Sequence, residues 1–308
     1  MPADWSDPFP HRSGFLESQG IRLNYLDWGG GGRPLVMIHG IGDDPHIFDD
    51  LASLLRDEFR VVAYARRGHG SSDSPAGPYD GDTLTEDLRQ VLDGLGIRRA
   101  SLVGWSMGGN EITTFAGRHP ERVDGLVYLD AGYDWSEPAF VEPFSEVLAA
   151  IAPRDGDLVS LDALRAWLRA SWMGDVPWSP GLEAYLRDAA QPDAAGQLHP
   201  APNDGAFAAC LAAIANWPRD YTKVQAPALV LYVQPFFPAS HADPVLSRKL
   251  REFEQKTMVP FRRASIERIR RELKQAKIEE IPDRLHMTIG VQEPEALAAR
   301  FREFLTRI

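Results

Sequence analysis

From residue 34 to residue 282 the chain repeats one alternation, a short apolar, β-branched run followed by a stretch with apolar positions three and four apart. The runs are PLVMIH (34–39), VVAYA (61–65), SLVGW (101–105), GLVYLD (125–130), ALVLYV (228–233) and KIEEIP (277–282). They read as strands, and the spacing between them predicts helices. Strand and helix in alternation predict βαβ units, hence an α/β fold with a mainly parallel sheet and helices on both faces. Two earlier runs, GFLESQ and IRLNYLDW, are joined by a short turn and predict an antiparallel hairpin at one sheet edge.

Helix signals refine this pattern. Thr83 and Glu86 have capping-box spacing ahead of Leu88, Val91 and Leu92, and Met107 to Arg118 reads as a helix directly after a strand. Asp243 and Pro244 suit an N-cap and first helical residue, opening a long helical stretch to about 276 that is interrupted near Pro260. Within it the basic run from Arg262 to Lys277 carries Ile266, Ile269 and Leu273 at helical spacing, which predicts a solvated face of an amphipathic helix. EPEALAARFREFL predicts a terminal helix.

Residues 133–218 break the alternation. They contain no strand-like run, carry Trp135, Trp167, Trp172, Trp178 and Trp217, and separate two strands of one sheet. The expected organisation is a core of residues 1–132 and 219–308 with a helical lid inserted at 133–218. WGGGGRP (28–34) lacks the Lys-Ser/Thr of a phosphate loop and reads as a flexible strand connection.

Composition narrows the class. At 308 residues with 44% hydrophobic and 25% charged positions, the chain can bury a large core. The polar start MPADWSDPFPHRSG and the absence of a long apolar run predict a cytoplasmic protein. A net charge of −11 argues against nucleic acid or an anionic membrane as partner. The lone Cys210, in AFAACLAAIA, reads as a buried, inert thiol. No His/Cys/Asp cluster has metal-ligand spacing and no nucleotide motif stands, so neither metal nor cofactor is expected. Oligomeric state is not written in the sequence, although 243–276 offers a surface for a dimer or a second lid wall.

Chemistry concentrates at Gly104-Trp105-Ser106-Met107-Gly108, a G-x-S-x-G run between a strand and a helix. A sharp strand-to-helix turn there lifts the serine hydroxyl above the sheet edge, and glycines are needed where a β-carbon would collide with the neighbouring strand and helix. His39-Gly40-Ile41-Gly42 follows the strand PLVMI, so its turn can aim the N–H of Ile41 to converge with that of Met107. Two such donors make an oxyanion hole.

These motifs, with RRGHGSSDSP (66–75) and RHPERVDGLVYLDA (118–131), resemble the α/β-hydrolase superfamily over most of the chain outside the insertion. One departure is Ala65, where many relatives have aspartate, a change expected to touch loop anchoring and not chemistry. The resemblance places a general base in the loop between the last strand and terminal helix, which is His286; His241, after ALVLYV, is its rival. His39, His69 and His119 read as structural. Many relatives carry the acid after the penultimate strand, but here PALVLYVQPFFPAS has no carboxylate before Asp243. Some families of the superfamily, a branch of the haloalkane dehalogenases among them, carry it at the preceding strand end, which is Asp130; Asp134 and Asp243 follow in preference.

A Ser106–His286–Asp130 set implies a serine esterase working through an acyl-enzyme on a small ester with an apolar or aromatic part. Serine at the elbow argues against the aspartate-based chemistry of epoxide hydrolases and dehalogenases. Lactone, thioester and carbon–carbon hydrolysis use the same apparatus, GWSMGG also resembles cofactor-free perhydrolases, and a ligand-binding relative with little turnover is the alternative outside enzymes. The insertion's tryptophans, with Phe140, Phe144 and Phe207, are candidates to line an apolar pocket, about half of them forming the lid's own core; Trp105 is expected to pack beneath the elbow.

Overall fold

A computed structural model describes residues 5–192 and 197–308. The first four residues of the polar N-terminal stretch and residues 193–196 of the insertion lie outside the described residues. The strands are β1 (Arg12–Ser18), β2 (Ile21–Gly29), β3 (Arg33–Ile38), β4 (Phe59–Tyr64), β5 (Ala100–Trp105), β6 (Val123–Leu129), β7 (Ala190–Pro192), β8 (Leu198–Pro200), β9 (Ala228–Gln234) and β10 (Ala276–Pro282). Eight form one sheet in the order β1-β2-β4-β3-β5-β6-β9-β10. The β1–β2 and β2–β4 pairs are antiparallel and the rest parallel, so the hairpin edge and the parallel body are as expected. The chain passes from β3 to β4 on one side, then returns to β5 on the other. That reversal opens a crevice at the carboxyl ends of β3 and β5, where open α/β sheets bind ligands.

The helices are α1 (Asp49–Leu55), α2 (Gly81–Gly94), α3 (Gly108–Arg118), α4 (Pro138–Ile151), α5 (Leu161–Leu168), α6 (Pro180–Asp188), α7 (Asp204–Ala215), α8 (Pro244–Phe253), α9 (Val259–Glu272) and α10 (Pro294–Leu305). Alternate residues of each central strand face opposite layers, because side chains alternate along a strand. Val36 and Ile38 of β3 pack with Leu84, Leu88 and Phe115 of α2 and α3. Leu35 and Met37 pack with Leu51 of α1 and Phe301 of α10. Burial on both faces explains why the parallel strands read as unbroken apolar runs.

Four local expectations are corrected. The α2 cap is Asp80, whose carboxylate accepts from the Thr83 N–H at 2.9 Å, so the helix starts earlier than a Thr83 cap requires. Glu86 instead pairs with Arg89. In the 240–276 stretch Asp243 does cap α8, accepting from the Val245 N–H at 2.8 Å, but Pro260 does not break the helix. A π turn at Glu254–Met258, closed by the Val259 N–H on Glu254 O, seats Pro260 in the first turn of α9, where an amide proton is not required. The basic run is not a uniformly solvated face: Arg262 is buried against Glu254 and Gln234, and the helix ends at Glu272 because 276–282 belongs to β10. Finally, β7 and β8 form a small antiparallel ribbon within the otherwise helical 133–218 segment.

Candidate active site

Ser106 follows β5 with φ +52°, in the left-handed region that a side chain adopts only under constraint. The constraint comes from the glycines. A Cβ on Gly104 would lie 2.6 Å from the Gly108 backbone, and one on Gly108 would lie 2.4 Å from Ile38 O. Strand, turn and helix therefore touch through bare backbone. Ser106 N–H bonds Leu129 O at 3.3 Å and Trp135 Nε1 donates to Ser106 O at 3.4 Å.

Asp130 stands at the end of the neighbouring strand β6, also with positive φ, +42°. Its side chain is fully buried and engaged on both oxygens. Oδ1 accepts from Tyr133 Oη at 2.8 Å and from the Val233 N–H of β9 at 3.2 Å, while Oδ2 lies 2.7 Å from His286 Nδ1. Burial and the adjacent Asp130 push Tyr133 well above the ordinary phenol range, which keeps its proton available for that bond. His286 opens a short 3-10 turn after β10. The Phe236 ring stacks on its imidazole at 4.1 Å with an interplanar angle of 15°, the Phe236 carbonyl accepts from its backbone N–H, and Trp105 Nε1 donates to its carbonyl at 3.2 Å. Trp105 thus lies beneath the elbow and supports the histidine as well.

Ser106, His286 and Ile41 line one cavity of about 250 Å³. Its walls are mostly apolar and come largely from residues 133–218, including Phe144, Leu164, Trp167, Trp172 and Phe207. Of the other insertion aromatics, Trp135 and Phe140 join the buried core, and Trp178 stacks under Arg165 and Arg169. Gly40 abuts Ser106: a Cβ there would lie 3.2 Å from Ser106 Cβ. Among the described residues, the N–H groups of Ile41 and Met107 have no hydrogen-bond partner, and Met107 is the N-cap of α3, where the helix dipole favours negative charge.

The turn carrying Ile41 is fixed from below by Arg66. Its guanidinium donates to Gly40 O at 2.9 Å, to His39 O at 2.8 Å and to Glu111 Oε1 at 2.8 Å, and Tyr64 Oη donates to Glu111 Oε2 at 2.6 Å. Arg67 makes a second buried pair, with Asp87. With alanine at 65, these two arginines anchor the loop.

The remaining candidates sit elsewhere. His39 accepts from the Arg66 N–H, and burial drives its pKa well down; burial likewise takes His69 to about 3. His241 accepts from the Asp243 N–H through Nδ1, Asp243 caps α8, and Asp134 is paired with Arg268 at 2.6 Å. Cys210 is buried, and its thiol is pushed up to about 11 by desolvation. One cluster escaped spacing arguments: Asp7, His11 and His46 each bring a carboxylate or imidazole atom within 4.8 Å of the others, with His46 also on Asp49 at 2.8 Å. Tyr133, Phe236 and Asp43, a buried carboxylate on the cavity wall, were not singled out from sequence.

Residues 33–187, half of the chain, match the family model for the alpha/beta hydrolase fold. The chain belongs to the α/β-hydrolase family. It is 41% identical over 114 residues to the non-heme chloroperoxidase CPO-A1 of Kitasatospora aureofaciens, a match covering 36% of this chain and 41% of that protein. The matched stretch is thus less than half of that relative's length. Similarity to 3-oxoadipate enol-lactonase 2 of Acinetobacter baylyi runs over 212 residues at 27% identity, 68% of this chain and 73% of that one. Among solved structures, E-2-(acetamidomethylene)succinate hydrolase superposes with a TM-score of 0.73 at 22% identity, covering 96% of this α/β-hydrolase and all of its own chain. A thermophilic esterase from Thermogutta terrifontis follows the same fold, with a TM-score of 0.64 at 22% identity over 96% and 98% of the two chains. No described helix is long and apolar enough to cross a membrane.

Proposed function

We propose that this α/β-hydrolase is a serine esterase that cleaves neutral carboxylic esters through an acyl-enzyme. The observation carrying this reading is the Asp130–His286 pair at 2.7 Å, opening on the same cavity as a strained Ser106. In this mechanism His286 takes the Ser106 proton through Nε2 while Ser106 Oγ attacks the ester carbonyl. Asp130 holds the imidazole with its proton on Nδ1 and stabilises the imidazolium. The N–H groups of Ile41 and Met107 receive the oxyanion, each contributing about 3 kcal/mol to the transition state. His286 then returns the proton to the departing alkoxide, and water, activated by the same imidazole, releases the acid. The inserted segment 133–218 serves as a lid that keeps the acyl group out of water.

A lactonase reading on the same residues has support from the similarity to an enol-lactonase. An adipate-derived lactone retains a carboxylate, however, and no Lys or Arg lines the cavity among the described residues, which favours uncharged esters. Hydrogen peroxide replacing water at the acyl-enzyme would give a peroxyacid by the same route.

The test is hydrolysis of p-nitrophenyl acetate, butyrate and octanoate beside Ser106→Ala, with fluorophosphonate labelling of His286→Ala and His241→Ala. Serine-dependent turnover, and labelling lost only in the His286 variant, is expected. Loss of labelling in His241→Ala instead would overturn the base assignment. Ligand retained without turnover on any chain length would replace the esterase with a binding protein.

A further inference from the structure

Among the described residues, the polar side-chain groups on the cavity wall are those of Ser106, His286, Tyr185 and Asp43, together with the indole N–H groups of Trp167 and Trp172, of which the first is bonded to Ile151 O. Asp43 has no part in the chemistry described above. It is 3% exposed, yet the cavity reaches it. Oδ1 accepts from Tyr185 Oη at 3.1 Å. Oδ2 has no hydrogen-bond partner among the described residues, and it is not among the polar atoms sealed from solvent without one, so it is open to the cavity.

Its position relates it to the reaction. The point where a Gly40 Cβ would stand is 2.5 Å from Asp43 Oδ2 and 3.2 Å from Ser106 Cβ, so carboxylate and nucleophile are neighbours across a bare glycine backbone. An oxygen there faces whatever lies next to a carbonyl held on Ser106. Burying an acceptor without a donor costs stability, and the Tyr185 hydroxyl, the one side-chain donor bonded to this carboxyl among the described residues, is already used by Oδ1. Burial pushes the carboxyl up to about 7, opposed by the Tyr185 hydroxyl and Arg66. Whether ionised or neutral, the group keeps an accepting oxygen.

We propose that Asp43 is a specificity residue that accepts a hydrogen bond from an O–H or N–H group of the substrate, so that the preferred esters are hydroxy- or amino-substituted close to the scissile carbonyl. Tyr185 is the positioning residue, fixing the carboxyl plane through Oδ1 so that Oδ2 addresses the cavity. The inference rests on the esterase reading of the same site. It adds a polar requirement that an apolar lid pocket alone does not impose. Discrimination of this kind is strong because the analogue lacking the donor leaves a buried acceptor unpaired.

Matched pairs test it: p-nitrophenyl 3-hydroxybutyrate against butyrate for the acyl side, and 2-hydroxyethyl butyrate against propyl butyrate for the alcohol side, each read as kcat/KM. The wild-type protein is expected to favour the donor-bearing ester at least about tenfold on one side. Asp43→Leu, of similar shape, should bring that ratio close to one, and Tyr185→Phe should lower it partway. Should Asp43→Leu not fold, Asp43→Ala, which also removes the accepting oxygen, carries the same comparison, with the ratio again expected close to one. Serine-dependent turnover of all four esters without discrimination, or a preference that survives at Asp43→Leu, overturns the proposal while leaving the esterase standing. Absence of serine-dependent turnover on every ester removes the esterase reading, and this inference with it.

Discussion

Asp130 Oδ2 and His286 Nδ1 meet at 2.7 Å although 156 residues separate them, because β6 and β9 are adjacent and the Val233 N–H of β9 holds the other carboxylate oxygen. If Asp130 orients the imidazole, Asp130→Asn keeps the shape, loses the charge and permits the wrong tautomer. Turnover of p-nitrophenyl butyrate is expected to fall about 10³- to 10⁴-fold with the protein still folded, as judged by circular dichroism. Asp243→Asn changes only a helix cap and should leave the rate near normal. Equal rates for Asp130→Asn and the parent protein would sink the assignment.

The buried pair Arg66–Glu111 makes a stability prediction. Both side chains are fully buried, and burial raises the Glu111 carboxyl against the lowering pull of Arg66. Arg66→Met leaves that carboxylate unpaired and releases the carbonyls of His39 and Gly40. A loss of about 3–5 kcal/mol is expected in urea denaturation. Arg66→Met with Glu111→Gln should recover part of it, and a double variant no better than the single one would show that the carbonyl contacts dominate.

Asp43 gives a pH dependence with a definite sign. Its folded carboxyl sits near 7, above the ordinary 3.8, with Tyr185, Arg66 and Asp44 around it. The folded protein therefore holds a proton that the unfolded chain releases, so stability from this group is present below about pH 4 and is lost as pH rises through 7. Asp43→Asn mimics the protonated form. It should match the parent protein's Tm near pH 3.5 and exceed it at pH 8.5, with an upper limit of about 4 kcal/mol. An advantage that is the same at both pH values would place the effect in packing instead.

What was legible in the sequence follows from locality. The strand runs and the elbow glycines are written in consecutive residues because each strand is buried on both faces and each glycine faces a backbone close by. Asp80 was missed as a cap because Asp, Thr and Glu compete within seven positions, and Pro260 was read as a break because periodicity contains no hint of a π turn. Phe236 against His286 and Tyr133 against Asp130 depend on which strand ends adjoin, and nothing in either neighbourhood states that. For Asp43 one signal existed: two adjacent carboxylates, Asp43 and Asp44, between HGIG and PHIF, where the chain turns back into the fold.

The strand that delivers Asp130 runs straight into the 133–218 segment that walls the cavity. Within six residues it supplies the carboxylate, the Tyr133 hydroxyl that holds it and the Trp135 indole that bonds Ser106 O. The cavity wall and the Asp130–His286 pair therefore share one root. An engineer exchanging this segment for a relative's, to widen or narrow the pocket, cannot treat it as a detachable module. A graft joined at residue 133 would carry two supports of the proposed catalytic centre away with the roof, and the crossover has to fall beyond Trp135 for the exchange to alter selectivity alone.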